Sequence, residues 1–171
     1  MRKFRIKPFI KYQTDEIVND YLTHRHLCLR SKYLKRKAIV DIFYPSAMPE
    51  SNAIALPALF LNDGQYAKQL RLDETLTERY RSNAFTDIVV IGIHAGDRMN
   101  EYGTAGYPDY MNRGKKANWH TNFVLKELLP YIQKTIGCAQ NPEFIAFAGF
   151  SLGGLSAMNI TWDHPEHFRK V

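Results

Sequence analysis

The sequence predicts an α/β fold: a mostly parallel sheet led by an antiparallel hairpin. Three observations predict it. Short continuous apolar runs at 58–61, 88–93 and 144–148 read as strands buried on both faces. Segments of helical period follow them at 68–81, 119–136 and 155–162. A β-rich pair, 26–30 and 37–44, comes first, with a polar turn at 31–36 between its members. Strands that alternate with amphipathic helices imply parallel crossovers.

Each element has a local reason. The first 24 residues carry only weak signals: short apolar groups, Pro8 and a mixed polar stretch. Pro45 ends the second hairpin strand, and Pro49, Ser51 and Asn52 mark a loop. Asn62, Asp63 and Gly64 form a turn directly after the run at 58–61. Leu72, Leu76 and Tyr80 share one face of the helix at 68–81. Asn118 is placed to cap the helix at 119–136, Pro130 to kink it and Gly137 to stop it. Residues 94–117 show neither period, and a connection of that length in a compact domain is usually functional.

Composition bounds the rest. The 171 residues are 45% hydrophobic, enough for one core and too few for two, so 1–171 reads as a single domain. No window approaches a transmembrane helix, and no apolar h-region follows the basic start. Cys28 and Cys138 lie far apart and have no CxxC partner, which fits a reducing cytoplasm and argues against a metal site. The net charge of +6 is local: residues 1–40 hold 11 Lys/Arg against 3 Asp/Glu, and the remainder holds 12 against 14. Two readings of that basic segment stand: a patch for an anionic surface, or a lysine-rich edge that resists strand pairing. No aromatic–basic interleaving accompanies it, so nucleic acid is not an expected partner.

The chemistry sits at Gly149, Ser151 and Gly153, a GxSxG pentapeptide. It follows an apolar strand and opens a helix, the setting of a nucleophile elbow. In so tight a turn the serine takes a strained backbone and projects its hydroxyl. Side chains at 149 and 153 would collide with neighbouring backbone, so both are glycine. The helix N-terminus favours negative charge developing beside Ser151, and the N–H of Leu152 is placed to meet an oxyanion.

Four stretches occur in a fixed order: FLNDGQ at 60–65, IVVIGIH at 88–94 with Arg98, Glu101 and Tyr102 beyond it, ELLPY at 127–131, and GFSLGG at 149–154. Over residues 25–171 the chain resembles the Putative esterase family of α/β-hydrolases, which includes enterochelin esterase-like enzymes, feruloyl esterases, esterase D and the mycolyltransferases. The resemblance implies a serine carboxylic-ester hydrolase with an acyl-enzyme on Ser151 and no cofactor. Leu152 and Gln65 match the two oxyanion-hole N–H donors. Asp63 lies beside the pocket, where it orients substrate or loop, although 62–64 also reads as an ordinary turn. Arg98, Glu101 and Tyr102 belong to a loop with two readings. In one it is a substrate wall, with Arg98 for an anionic group. In the other an Arg98–Glu101 ion pair pins it.

The family orders its triad as serine, acid, histidine. The chain ends at Val171, one helix after the serine, so the fold is expected to be truncated there. Asp163 and His164 lie on the helix that opens at the elbow, roughly 18 Å from Ser151 at 1.5 Å per residue. His94 and Asp97 are the in-chain candidates nearest the pocket, with His94 read as a packed or hydrogen-bonded residue. The chain is therefore expected to be catalytically incomplete by itself, with a bare outer edge at 144–148 through which it self-associates. An acyltransferase of the same fold and a non-catalytic scaffold are the alternatives.

Overall fold

A computed structural model describes residues 9–47, 55–83 and 86–171. The loop residues Pro49, Ser51 and Asn52 and the basic start lie outside them. Six strands form one sheet: β1 (Phe9–Ile17), β2 (Leu22–Arg30), β3 (Lys37–Pro45), β4 (Ala58–Asn62), β5 (Val89–Ile93) and β6 (Ile145–Ala148). Their spatial order is β1-β2-β3-β5-β4-β6. The pairs β1–β2, β2–β3 and β3–β5 are antiparallel, and only β4–β5 and β4–β6 are parallel. The expectation of a mostly parallel sheet is thus corrected to a mixed, mostly antiparallel one.

The missed strand explains the correction. β1 is an edge strand whose Ile10, Tyr12 and Ile17 are exposed, so it has no buried face to impose a period on the sequence. Short turns join β1, β2 and β3, and such turns can join only antiparallel neighbours. From β4 onward helices cross between strands, and pairing becomes parallel.

The helices are α1 (Leu72–Ser82), α2 (Arg98–Glu101), α3 (Ala117–Phe123), α4 (Leu129–Thr135) and α5 (Leu152–Asp163). α1 buries Leu76 and Tyr80 against Leu22, Phe43 and Val90 on one face of the sheet. The expected helix at 119–136 is α3 and α4 joined by a π turn at Val124–Leu128. Pro130 has no N–H to return to the preceding turn, and the widened turn ahead of it accommodates that loss. These helices and α5 cover the other face, where Phe60, Phe123, Phe147, Ile160 and Phe168 form the main core. α5 begins three residues before the period suggests, immediately after Ser151.

The outer edge of β6 is not bare. The Phe147 N–H donates to the Lys170 carbonyl at 2.9 Å, and the Arg169 N–H to that of Ile145 at 3.3 Å. Among the described residues no helix is long and apolar enough to cross a membrane.

Candidate active site

β6 ends at Ala148 and α5 starts at Leu152, so Gly149, Phe150 and Ser151 alone reverse the chain. Ser151 takes φ 51 and ψ −124. Backbone of this kind is strained by ~1–3 kcal/mol and persists only when its surroundings over-determine it. Here they do. A Cβ at Gly149 would sit 2.5 Å from the Gly153 carbonyl carbon, and one at Gly153 would sit 2.9 Å from Asp63 Oδ2. The side chain of Ser151 is exposed. Leu152 opens α5, so its N–H lies in the first turn, where no intrahelical acceptor exists.

The turn after β4 lies against this elbow because β4 pairs with β6, Leu61 opposite Ala148. Asn62 Nδ2 donates to the Gly153 carbonyl at 2.9 Å. Asp63 adopts the left-handed conformation, φ 62 and ψ 40, ahead of a 3-10 turn at Gly64–Tyr66. Its buried carboxylate accepts a two-pronged contact from Arg98, Nε to Oδ1 at 2.8 Å and Nη2 to Oδ2 at 2.9 Å. The same Nη2 lies 3.4 Å from the carbonyl of Phe150. The Asp63 N–H donates to the Tyr102 hydroxyl at 2.9 Å. Gln65 Nε2 donates to Asp63 Oδ1 at 3.0 Å, and Gln65 Oε1 accepts from the Ala95 N–H at 3.1 Å. A cleft of about 270 Å³ opens beside the elbow between Asp63, Tyr66, Leu70, Arg98 and Phe150.

The ion-pair reading of the 94–117 loop does not hold. Arg98 pairs with Asp63, while Glu101 pairs with Arg36, at 2.7 Å to Nε and 2.5 Å to Nη2. Residues 98 and 101 are one turn apart on α2, but their partners lie on different elements. Burial raises the Glu101 carboxyl pKa, and the Arg36 contacts outweigh that to hold it below the usual range. Burial, and then the Asp63 charge, push the Tyr102 phenol up, so its oxygen stays protonated.

Asn62, His120 and Arg36 border the site without a sequence signal for the contacts they make there. Asn62 bonds both Gly153 and His120, whose Nε2 lies 3.0 Å from Asn62 Oδ1. His120 is buried beside the Tyr102 ring, with centroids 5.1 Å apart, and burial pushes its pKa down to about 4. Arg36 belongs to the basic run, where no spacing points to a partner on α2.

The histidines are all engaged away from Ser151. His24, His26 and His94 bond Asp41, His120 bonds Asn62, and His164 and His167 lie beside Glu166 past the end of α5. Asp97 is held by Lys116 and Asn100.

Residues 31–171 match the model of a protein family described as Putative esterase. The chain belongs to this family. No curated protein matches it. An enterochelin esterase from Shigella flexneri aligns at 23% identity and TM-score 0.69, over 85% of this chain and 34% of that one. A ferulic acid esterase aligns at 20% identity and TM-score 0.68, over 88% and 58% respectively. The BES protein from Bacillus cereus aligns at 17% identity and TM-score 0.69, over 91% and 61%. The likeness to these structures is one of fold, and the esterase-family chain spans between a third and three-fifths of their lengths.

Proposed function

We propose that the chain carries the nucleophile half of a serine carboxylic-ester hydrolase. The observation that carries this reading is the φ of 51 at Ser151, between a strand end and a helix start. Ser151 attacks the ester carbonyl, the alcohol leaves, and water releases the acid from the acyl-enzyme. The backbone N–H groups of Leu152 and Gln65 donate to the tetrahedral oxyanion. Each such donor lowers the barrier by about 3 kcal/mol. Arg98, Tyr102 and Asp63 shape the loop that holds Gln65, and Asp63 and Arg98 also line the adjoining cleft. The substrate is a small-molecule ester, in keeping with the enterochelin and ferulic acid esterases that share the fold.

The acyl-enzyme chemistry needs a general base, and every histidine of this chain is bonded elsewhere. Ser151 therefore reacts slowly in the chain by itself. The test is hydrolysis of an aryl ester, followed together with the mass of the protein. The expected result is slow acylation at Ser151 that disappears in Ser151→Ala. Equal rates in the two proteins would remove Ser151 from the mechanism. Rapid, Ser151-dependent turnover would show that a histidine of this chain completes the site.

A further inference from the structure

Asn62 ends β4, and three elements meet at its side chain. It is 1% exposed, so its amide has to find partners inside the protein. Nδ2 donates to the Gly153 carbonyl of α5 at 2.9 Å, and Oδ1 lies 3.0 Å from His120 Nε2 of α3. Strand parity brings this about. Asn62 lies two residues past Phe60, so its side chain shares the sheet face that α3 and α5 cover.

The two bonds fix each other's sense. A carbonyl only accepts, so the NH2 group of Asn62 faces Gly153 and the amide oxygen faces His120. The imidazole must then donate, and its hydrogen sits on Nε2. Burial keeps the ring neutral, which leaves Nδ1 without a hydrogen. Nδ1 also has no hydrogen-bond partner among the described residues. Packing holds the ring, edge-on to Tyr102 with centroids 5.1 Å apart, and its single N–H is given to Asn62.

The bond to Gly153 falls where the sheet stops holding two chain segments together. The β4–β6 ladder ends at the Leu61–Ala148 pair. Past that pair Asn62 still follows β5, opposite Ile93, while Gly149 turns away toward Ser151. The proposed oxyanion donors lie beyond this fork, one on each branch. Gln65 is three residues past Asn62, and Leu152 adjoins Gly153. The Asn62 amide crosses the fork. The approach is close, since a Cβ at Gly153 would lie 3.3 Å from Asn62 Cβ. Arg98 adds a longer crossing, from Asp63 to the Phe150 carbonyl at 3.4 Å.

We propose that Asn62, oriented by His120, is a positioning residue that sets the spacing between the Leu152 and Gln65 N–H groups. It bonds Gly153 rather than Ser151, and acts through the first turn of α5. Oxyanion donors work only when both point at one oxygen, and a misplacement of about 1 Å can cost ~10²-fold in rate. His120 contributes through its N–H. A side chain that donates from the same place keeps the Asn62 amide in this sense, and one that cannot donate frees the amide to turn.

The role rests on reading Leu152 and Gln65 as oxyanion donors to an acylation at Ser151, and the experiment separates the two. Acetylation of Ser151 by 4-nitrophenyl acetate, located by peptide mass, is followed at neutral pH in wild type, His120→Gln, His120→Leu and Asn62→Asp. Urea midpoints are recorded beside the rates. His120→Gln retains a donor for Asn62, and His120→Leu does not. Asn62→Asp keeps the acceptor for His120 and loses the donor to Gly153. The expected result is a rate near wild type in His120→Gln and a loss of roughly 10- to 100-fold in His120→Leu and Asn62→Asp. Both histidine variants lose packing against Tyr102, so a purely structural role lowers both midpoints and leaves their two rates alike. Rates alike in that pair overturn the proposal. In 15N-labelled wild type the His120 ring is expected as the Nε2–H tautomer, and the Nδ1–H tautomer overturns the orientation whether or not any variant folds. A wild-type chain that takes no acetyl group at Ser151 overturns the catalytic reading, whereas Ser151 acetylation as fast in His120→Leu as in wild type overturns the positioning role alone.

Discussion

Asp63 shows how one side chain gathers a site. It is 3% exposed, its backbone is left-handed, and its two carboxylate oxygens are taken up by Arg98 and Gln65. Removing the guanidinium leaves a buried carboxylate with a single amide donor. Breaking a buried pair by deleting one partner destabilises by ~3–5 kcal/mol. The Arg98 side chain is 31% exposed, so water replaces part of what is lost, and about 2 kcal/mol is the expected cost of Arg98→Ala. Arg98→Lys keeps the charge but not the two-pronged geometry, and falls between wild type and alanine. Urea unfolding midpoints of the three proteins measure this order. A midpoint unchanged in Arg98→Ala would mean that Asp63 is held by its other contacts. None of this pairing is legible at residue scale. Arg98 and Glu101 read as partners because they lie three apart, yet each bonds a residue at least 35 positions away in sequence.

Elements were more legible than contacts, where burial imposed a period. β4, β5 and β6 are continuous apolar runs because both of their faces are covered, and each appears within about one residue of the expected range. β1 carries no such signal because an exposed edge strand needs no alternation, and its antiparallel pairing is invisible in the sequence for the same reason. Three charges of the basic segment find their partners at this scale. Arg25 bonds Asp15 across β1–β2, Arg36 bonds Glu101, and the Lys35 ammonium lies 4.6 Å from the Trp119 ring centroid. Those charges hold elements together. The contact between β5 and the turn after β4 depends on a pair of glycines. A Cβ at Gly64 would lie 2.3 Å from the Gly92 carbonyl carbon, and a paired strand has no freedom to yield. Gly64→Ala therefore displaces the turn that carries Gln65. Overpacking of this kind costs about 1–3 kcal/mol. At roughly 2–4 °C per kcal/mol for a chain of this size, the melting temperature falls by ~2–12 °C. Ala67→Gly, outside that contact, is the control for turn flexibility, and a melting curve for Gly64→Ala matching wild type would show that the strands part without strain.

Across the whole molecule, acid stability is set by groups buried in one protonation state. His120 lies in the core between Asn62 and Tyr102, with Nδ1 unpartnered, and its pKa falls from 6.5 to about 4 on folding. A histidine with a depressed folded pKa binds its proton more tightly in the unfolded chain. Its contribution is complete above pH 6.5 and is lost progressively as pH falls toward 4. At 1.36 kcal/mol per unit the loss is on the order of 3 kcal/mol, a large part of a domain's net stability. The depressed carboxylates, Asp41 and Glu101 among them, act later. Their stabilisation is present above the unfolded carboxyl pKa of about 4 and is lost as pH falls through the folded values. The two windows meet near pH 4, so the decline between pH 6.5 and 4 is the part in which His120 can be isolated. His120→Gln keeps a donor for Asn62 and removes the titration. The expected outcome is a variant less stable at pH 7, where the packing against Tyr102 is imperfect, but with a shallower loss on acidification. Urea unfolding at half-unit steps between pH 7 and 4 gives both slopes. Parallel curves for the two proteins would show that His120 takes up no additional proton on unfolding, and that the acid sensitivity in this window belongs to other groups.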